Sequence, residues 1–188
     1  MVKIDINKII SDKTIQLNFK DKLTYFGIAF YLLVFSVLLL IGKLGGFIQH
    51  NILAVELIGL TLATFVLISQ NKKLKFKTIQ ANLTTSEIDL AIYMTAQELK
   101  WHLVDVGSNY TIARREGGTF PFSWEEQITI ISINEKILIN SLCDPDSAMV
   151  NVFGKNKKNI MTFERNIKKQ QTMDHKVSFD ILNKEILI

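Results

Sequence analysis

Few side chains in this sequence could do chemistry, and their spacing does not bring them together. Cys143 is the only cysteine, which excludes an internal disulfide framework and a multi-cysteine zinc site. A thiol becomes a nucleophile when a histidine or another base lies beside it. The three histidines are scattered, however, and His102 and His175 stand far apart. A single thiol at a strand end is more commonly inert packing. Asp144 and Asp146 flank Pro145, which is ordinary turn chemistry and falls short of the ligand number that Ca²⁺ takes. The HExxH, CxxC, Walker, GxSxG and GxGxxG patterns are all absent. An enzyme acting on lipid or peptide near a membrane would need Cys143, His102, Glu125 or Asp144 to converge, and nothing in their spacing promotes that. The expectation is a chain with no catalytic residue, no cofactor and no metal.

Two basic features could bind an anion. Gly154-Lys155-Asn156-Lys157-Lys158 introduces a helical pattern, and the free amides and positive dipole end of a helix N-terminus attract negative charge. Arg114 and Arg115 precede it, on a strand whose neighbouring residues face opposite sides. One of the two can therefore join the lysines, and Arg114 is the candidate. Lys155, Lys157, Lys158 and Arg114 together would suit an anionic ligand or a phospholipid headgroup. The plainer alternative is a solvated lysine face.

The elements that must position these residues begin with two apolar runs. Residues Leu23 to Gly42 contain no charge and lie between Lys22 and Lys43. At about 1.5 Å rise per residue, twenty residues span about 30 Å, the thickness of a bilayer core. A second run, Ile52 to Gln70, is interrupted only by Glu56. Both runs help to account for a mean hydropathy of +0.20 in a chain of 188 residues. Buried helices of a soluble core are the alternative, disfavoured by length and lack of charge. A cleaved signal peptide is disfavoured too, because a long arm precedes the first run and a second run follows it.

Positive residues are retained on the cytoplasmic side of a membrane. The N-terminal arm carries Lys3, Lys8, Lys13, Lys20 and Lys22, and Lys72, Lys73, Lys75 and Lys77 follow the second run. The connection between the runs has only Lys43. Both termini are therefore expected in the cytoplasm of a bacterium, with a multi-pass hairpin in the inner membrane. Lys72, Lys73, Lys75 and Lys77 would lie at the membrane surface, where anionic headgroups sit. Residues 78–188 count 12 basic against 14 acidic side chains, so the net charge of +4 does not argue for nucleic acid. Glu56 lies about one turn from the outer end of its run, where it can reach water. A proton relay is the sharper alternative, but no second acid or histidine stands at membrane depth. Gly59 and Ala63 form a small-xxx-small pair that lets two helices approach closely.

Four segments result: a cytoplasmic arm at 1–22, a transmembrane hairpin at 23–71, a basic juxtamembrane linker at 72–83, and an α+β domain at 84–188. The arm is readable as an interfacial helix or as a strand added to the later sheet. Thr84 followed by Glu87 is a capping box. Ile88, Ala91, Ile92, Thr95 and Leu99 then share one helical face, widened by Leu90 and Met94. Strands are expected over 101–106, 110–115, 127–133 and 136–142, with Asn134-Glu135 as a hairpin turn. A further short strand near Thr119–Ser123 is confined to an edge by Pro121. Gly154 opens a helix to about Lys169 with Ile160, Phe163 and Ile167 on one face. The tail from Val177 is readable as edge strands or a short helix. The fold class expected is a helical hairpin plus an antiparallel four- to five-stranded meander, with helices on one face.

The stretches Ser123-Trp124-Glu125-Glu126, Ile137-Leu138-Ile139-Asn140-Ser141 and Phe153 to Ile160 carry a resemblance. In them the chain resembles uncharacterised bacterial two-span membrane proteins ending in a cytoplasmic α+β domain. The likeness covers about the last half of the chain and implies architecture without an activity. The function expected is a non-enzymatic inner-membrane protein presenting an interaction domain to a protein partner or a second copy. It would serve as an accessory or assembly subunit of a membrane complex. A sensor or binding module for an anionic ligand or phospholipid headgroup is the alternative.

Overall fold

A computed structural model describes residues 5–46, 53–116, 125–143 and 155–185. The edge strand expected near Thr119–Ser123, the Asp144-Pro145-Asp146 turn and residues 186–188 of the tail lie outside them. The chain divides into two compact units, with the boundary between Lys75 and Phe76.

The first unit contains four helices: α1 (Ile6–Asp12), α2 (Phe19–Tyr25), α3 (Gly27–Leu44) and α4 (Leu53–Lys73). The arm is thus two short helices. Asp5 and Asn18 cap them by accepting from the amides of Lys8 and Asp21. Between α1 and α2 the chain is extended, and Thr14 forms a single antiparallel bridge with Lys75. It joins no sheet there, because the bridge is isolated. Helices α3 and α4 are both long and apolar enough to cross a membrane.

Their seam is built from small and polar residues. Ala29 and Ser36 on α3, and Glu56, Ala63 and Gln70 on α4, are all buried. They recur at seven-residue intervals along their helices, the spacing that keeps one stripe facing a partner helix. Gly59 makes the close approach: a Cβ there would stand 2.3 Å from Ser36 Oγ. At the other end, Gln70 Nε2 donates to the Tyr25 carbonyl (2.6 Å), and the Tyr25 hydroxyl donates to the Gln70 carbonyl (3.3 Å). Large apolar side chains point outward instead, among them Phe30, Phe35, Leu38, Ile58 and Phe65.

The second unit is a five-stranded antiparallel sheet with two helices. Its elements are β1 (Lys77–Gln80), α5 (Thr85–Leu99), β2 (Trp101–Val106), β3 (Tyr110–Arg115), β4 (Glu126–Ile133), β5 (Lys136–Cys143) and α6 (Lys155–Glu185). Strands β2 to β5 form the expected meander. The fifth strand is β1, which falls inside the stretch expected to be a basic linker and gives the sheet order β1-β5-β4-β3-β2. Lys77, Thr78, Ile79 and Gln80 pair with Ile139, Leu138, Ile137 and Lys136. Only Ile79 is apolar among the four, so nothing in the local pattern announces a strand.

Helix α5 begins at the expected capping box. The Thr84 hydroxyl accepts from the Glu87 amide, and the Thr84 amide donates to Glu87 Oε2 at 2.6 Å. It ends at Lys100, which takes a left-handed conformation (φ 56°) and turns the chain directly into β2. Alternating residues Ile128, Ile130, Ile137 and Ile139 line one sheet face with Ala113. Against them pack Ile88, Ala91, Ile92 and Leu99 of α5, and Phe163 and Ile167 of α6. Both helices therefore cover the same face. Leu90 does not join this core and is exposed. Helix α6 continues to Glu185, because no Gly or Pro interrupts the sequence after Lys155.

Two outcomes follow. Phe163 is fully buried, so Phe163→Ala is expected to cost about 3–5 kcal/mol, whereas Leu90→Ala stays within about 0.5 kcal/mol. Denaturation of the full chain in detergent, followed by tryptophan fluorescence, measures both. The hydrogen bonds from Thr84 hold the Glu87 carboxyl below its ordinary value of 4.5. The cap therefore contributes above that value and is lost as pH falls through the lowered one. Glu87→Gln should flatten this part of the acid stability profile.

Candidate functional site

The first turns of α6 meet one end of the sheet, and several buried polar side chains of the second unit come together there. The strand register explains how. Trp101 pairs with Arg115, Arg115 with Glu126, and Glu126 with Cys143. Cross-strand partners share a face, so these four residues form one row across β2, β3, β4 and β5. Ser141, two residues before Cys143, shares that face.

Asn159 of α6 sits on this row and is fully buried. Its Nδ2 donates to Glu126 Oε2 at 2.6 Å and to Ser141 Oγ at 2.8 Å. Its Oδ1 accepts from Trp101 Nε1 and from Arg115 Nη1, each at 3.3 Å. The whole hydrogen-bonding capacity of the amide is thereby used. Arg115 Nη1 also lies 3.7 Å from Glu126 Oε2. One turn earlier, Asn156 Oδ1 accepts from Ser141 Oγ (3.5 Å) and from Cys143 Sγ (3.7 Å). Further along the same face, Asn166 Nδ2 donates to Thr95 Oγ1 at 2.9 Å.

Glu126 is buried and accepts from Asn159 through Oε2, and the Cys143 thiol lies 3.7 Å from the Asn156 amide oxygen. His102 belongs to the next row, on the opposite sheet face, where its Nε2 lies 3.8 Å from Glu116. His102 and Cys143 therefore do not pair with each other. Among the described residues, no group of three or more His, Cys, Asp or Glu side chains could hold a metal ion. The arrangement can lock the start of α6 onto four strands, since a buried carboxylate and a buried amide are tolerated only when they satisfy one another.

Of the residues singled out for an anion, Arg114 is not brought to the start of α6. Arg114 lies on the face away from α6 and forms an ion pair with Glu125. Arg115 is the arginine that reaches α6, because strand alternation puts it on the covered face. Lys157 and Lys158 are exposed, and Lys155 is the first residue of α6. Lys72 and Lys73 end α4, and Lys75 carries the bridge to Thr14. Lys77 belongs to the other unit, where its Nζ pairs with Glu164 at 2.7 Å and ties the β1 edge to α6.

Sequence reasoning passed over Asn159, Glu126 and Arg115. A signal existed: Asn159 and Asn166 stand on the helical face that carries Phe163 and Ile167, where a polar residue must find a buried partner. No protein-family model matches this sequence, and no curated protein matches it either.

Asn159→Ala would strip Glu126 and Trp101 of their shared partner. It is expected to destabilise the full chain by about 3 kcal/mol, whereas Lys157→Ala changes stability by less than about 0.5 kcal/mol. Paired denaturation curves check the contrast.

Proposed function

We propose that this chain is a non-enzymatic membrane protein. Helices α3 and α4 cross the bacterial inner membrane, and the second unit is a cytoplasmic interaction domain. The observation that carries the reading is the inverted arrangement of the hairpin. Large apolar side chains face outward, and small or polar ones fill the seam. Such a surface is stable in hydrocarbon and unfavourable in water. The hydroxyls on its outside are consistent with this environment. Thr61 and Thr64 donate to the Leu57 and Leu60 carbonyls, so neither faces lipid unpaired.

The interaction role is supported by the contrast between the polar cluster and the sheet margin. Asn159 spends its amide on Trp101, Arg115, Glu126 and Ser141 and so serves to hold α6 on the sheet. Strand β2, at one margin of the sheet, is exposed along nearly its whole length. A domain with this distribution suits an accessory or assembly subunit of a membrane complex. The anionic-ligand alternative keeps exposed Lys157 and Lys158 as its support but loses Arg114 to Glu125.

Orientation and role are both measurable. In intact cells, a membrane-impermeant maleimide should spare Cys143 until the inner membrane is opened, whereas Gly45→Cys in a Cys143→Ser background should label from outside. The reverse pattern would overturn the topology. Gentle extraction of the full chain should yield a stoichiometric complex with itself or another protein. A bare monomer carrying anionic lipid, released by Lys157→Glu/Lys158→Glu, would instead favour the headgroup reading.

A further inference from the structure

The two margins of the sheet differ. Strand β1 is short, and its Lys77 is tied to Glu164. Strand β2 presents Leu103, Val104 and Val106 at 45%, 49% and 61% exposure. Among the described residues no further strand pairs with β2, and an apolar strand edge of this kind is a template for pairing with another chain.

The sequence of β2 suits its own copy. If two β2 strands lie antiparallel about a two-fold axis between Leu103 and Val104, Leu103 falls opposite Val104 of the second copy. Trp101 falls opposite Val106, and His102 opposite Asp105. On a regular strand this register would fail, because residues an odd number apart face opposite sides. The bulge in β2 removes the obstacle. The register with β3 shifts between Leu103 and Asp105, so that His102 pairs with Arg114 and Asp105 with Ile112. Arg114 and Ile112 share a face, and therefore so do His102 and Asp105. Trp101, Leu103 and Val106 align with Arg115, Ala113 and Thr111 on the other face. An inserted residue that commonly protects an edge here puts both halves of the strand in phase with a two-fold partner.

We propose that β2 is the seam between two copies of this chain, joined antiparallel into one continuous ten-stranded sheet. His102 of each copy faces Asp105 of the other, and Leu103, Val104 and Val106 are covered. Asp105 already accepts from the Tyr110 hydroxyl at 3.2 Å, which holds the carboxylate on the outer strand. The short, ion-paired β1 margin stops the sheet from extending further, so the assembly closes as a dimer. The inference rests on the membrane reading above in one respect. Six residues of strand make a small interface, and confinement to a bilayer raises the effective concentration that lets a small interface suffice.

The test uses the full chain in a Cys143→Ser background, reconstituted in lipid. H102C and D105C versions are prepared with different tags. Oxidation should crosslink H102C to D105C in the mixture and give much less product when either variant is alone, since only opposite residues come within disulfide reach. H102D sets like charges opposite each other twice and should weaken dimerisation roughly tenfold, with H102D/D105K restoring it. Both positions are exposed, and an unchanged melting temperature confirms that folding is intact. Crosslinking that is equal in the separate and mixed samples overturns the seam, as does a dimer indifferent to H102D. A membrane-inserted monomer that holds a different protein would overturn the seam and leave the function proposed above standing. Failure of the chain to enter the membrane would overturn that function, while the crosslinking pattern still decides the seam.

Discussion

The amide of Asn159 is the joint on which the second unit depends. It touches groups from β2, β3, β4 and β5, through Trp101, Arg115, Glu126 and Ser141. A buried carboxylate cannot be left in an apolar interior without donors, so Glu126 dictates that α6 arrive with Asn159 at that level. The apolar contacts of Phe163 and Ile167 reward burial in many neighbouring registers of the helix. The amide rewards one. Burial stabilises the layer, and the polar joint selects its alignment.

In the hairpin the distribution of side chains is the reverse of that in the second unit. Water makes apolar residues gather inside the second unit; in the membrane setting proposed above, a hydrocarbon surround would remove that drive and leave close packing to hold α3 against α4. Small residues then belong in the seam. Gly59 admits Ser36, and Ala29 and Ala63 continue the approach. Glu56 is also in the seam, 5% exposed, rather than reaching out to water as its position near the helix end had suggested. The large apolar residues, Phe30, Phe35, Leu38, Ile58 and Phe65 among them, form the surface.

Where the local pattern contains the reason for an element, that element was legible. The charge-free run announces a long apolar helix, although its first residues, Leu23 to Tyr25, belong to α2, and α3 runs from Gly27 to Leu44. Thr84 with Glu87 announces α5 before any partner is known. The Ile-rich hairpin of β4 and β5 likewise needs only its own alternation and a turn. Strand β1 was hidden because its reason lies sixty residues away, in the edge of β5 that it covers. The length of α6 was hidden because Val177, Phe179 and Ile181 alternate as a strand would. The site was least legible. Asn159 and Glu126 are ordinary polar residues in sequence and become a unit only when register and helix face coincide. Choosing Arg114 over Arg115 required knowing which sheet face the helices cover.

Lys100 joins α5 to β2 without an intervening loop, at a left-handed φ of 56°. One residue leaves no slack, and Trp101, the next, is already buried. The outer strand is therefore held at its root by the helix beside it. A flexible edge must surrender backbone freedom on meeting a partner, a loss of about 1–2 kcal/mol for each residue that orders. An edge anchored in this way has surrendered much of that freedom on folding, so more of any contact energy survives as affinity.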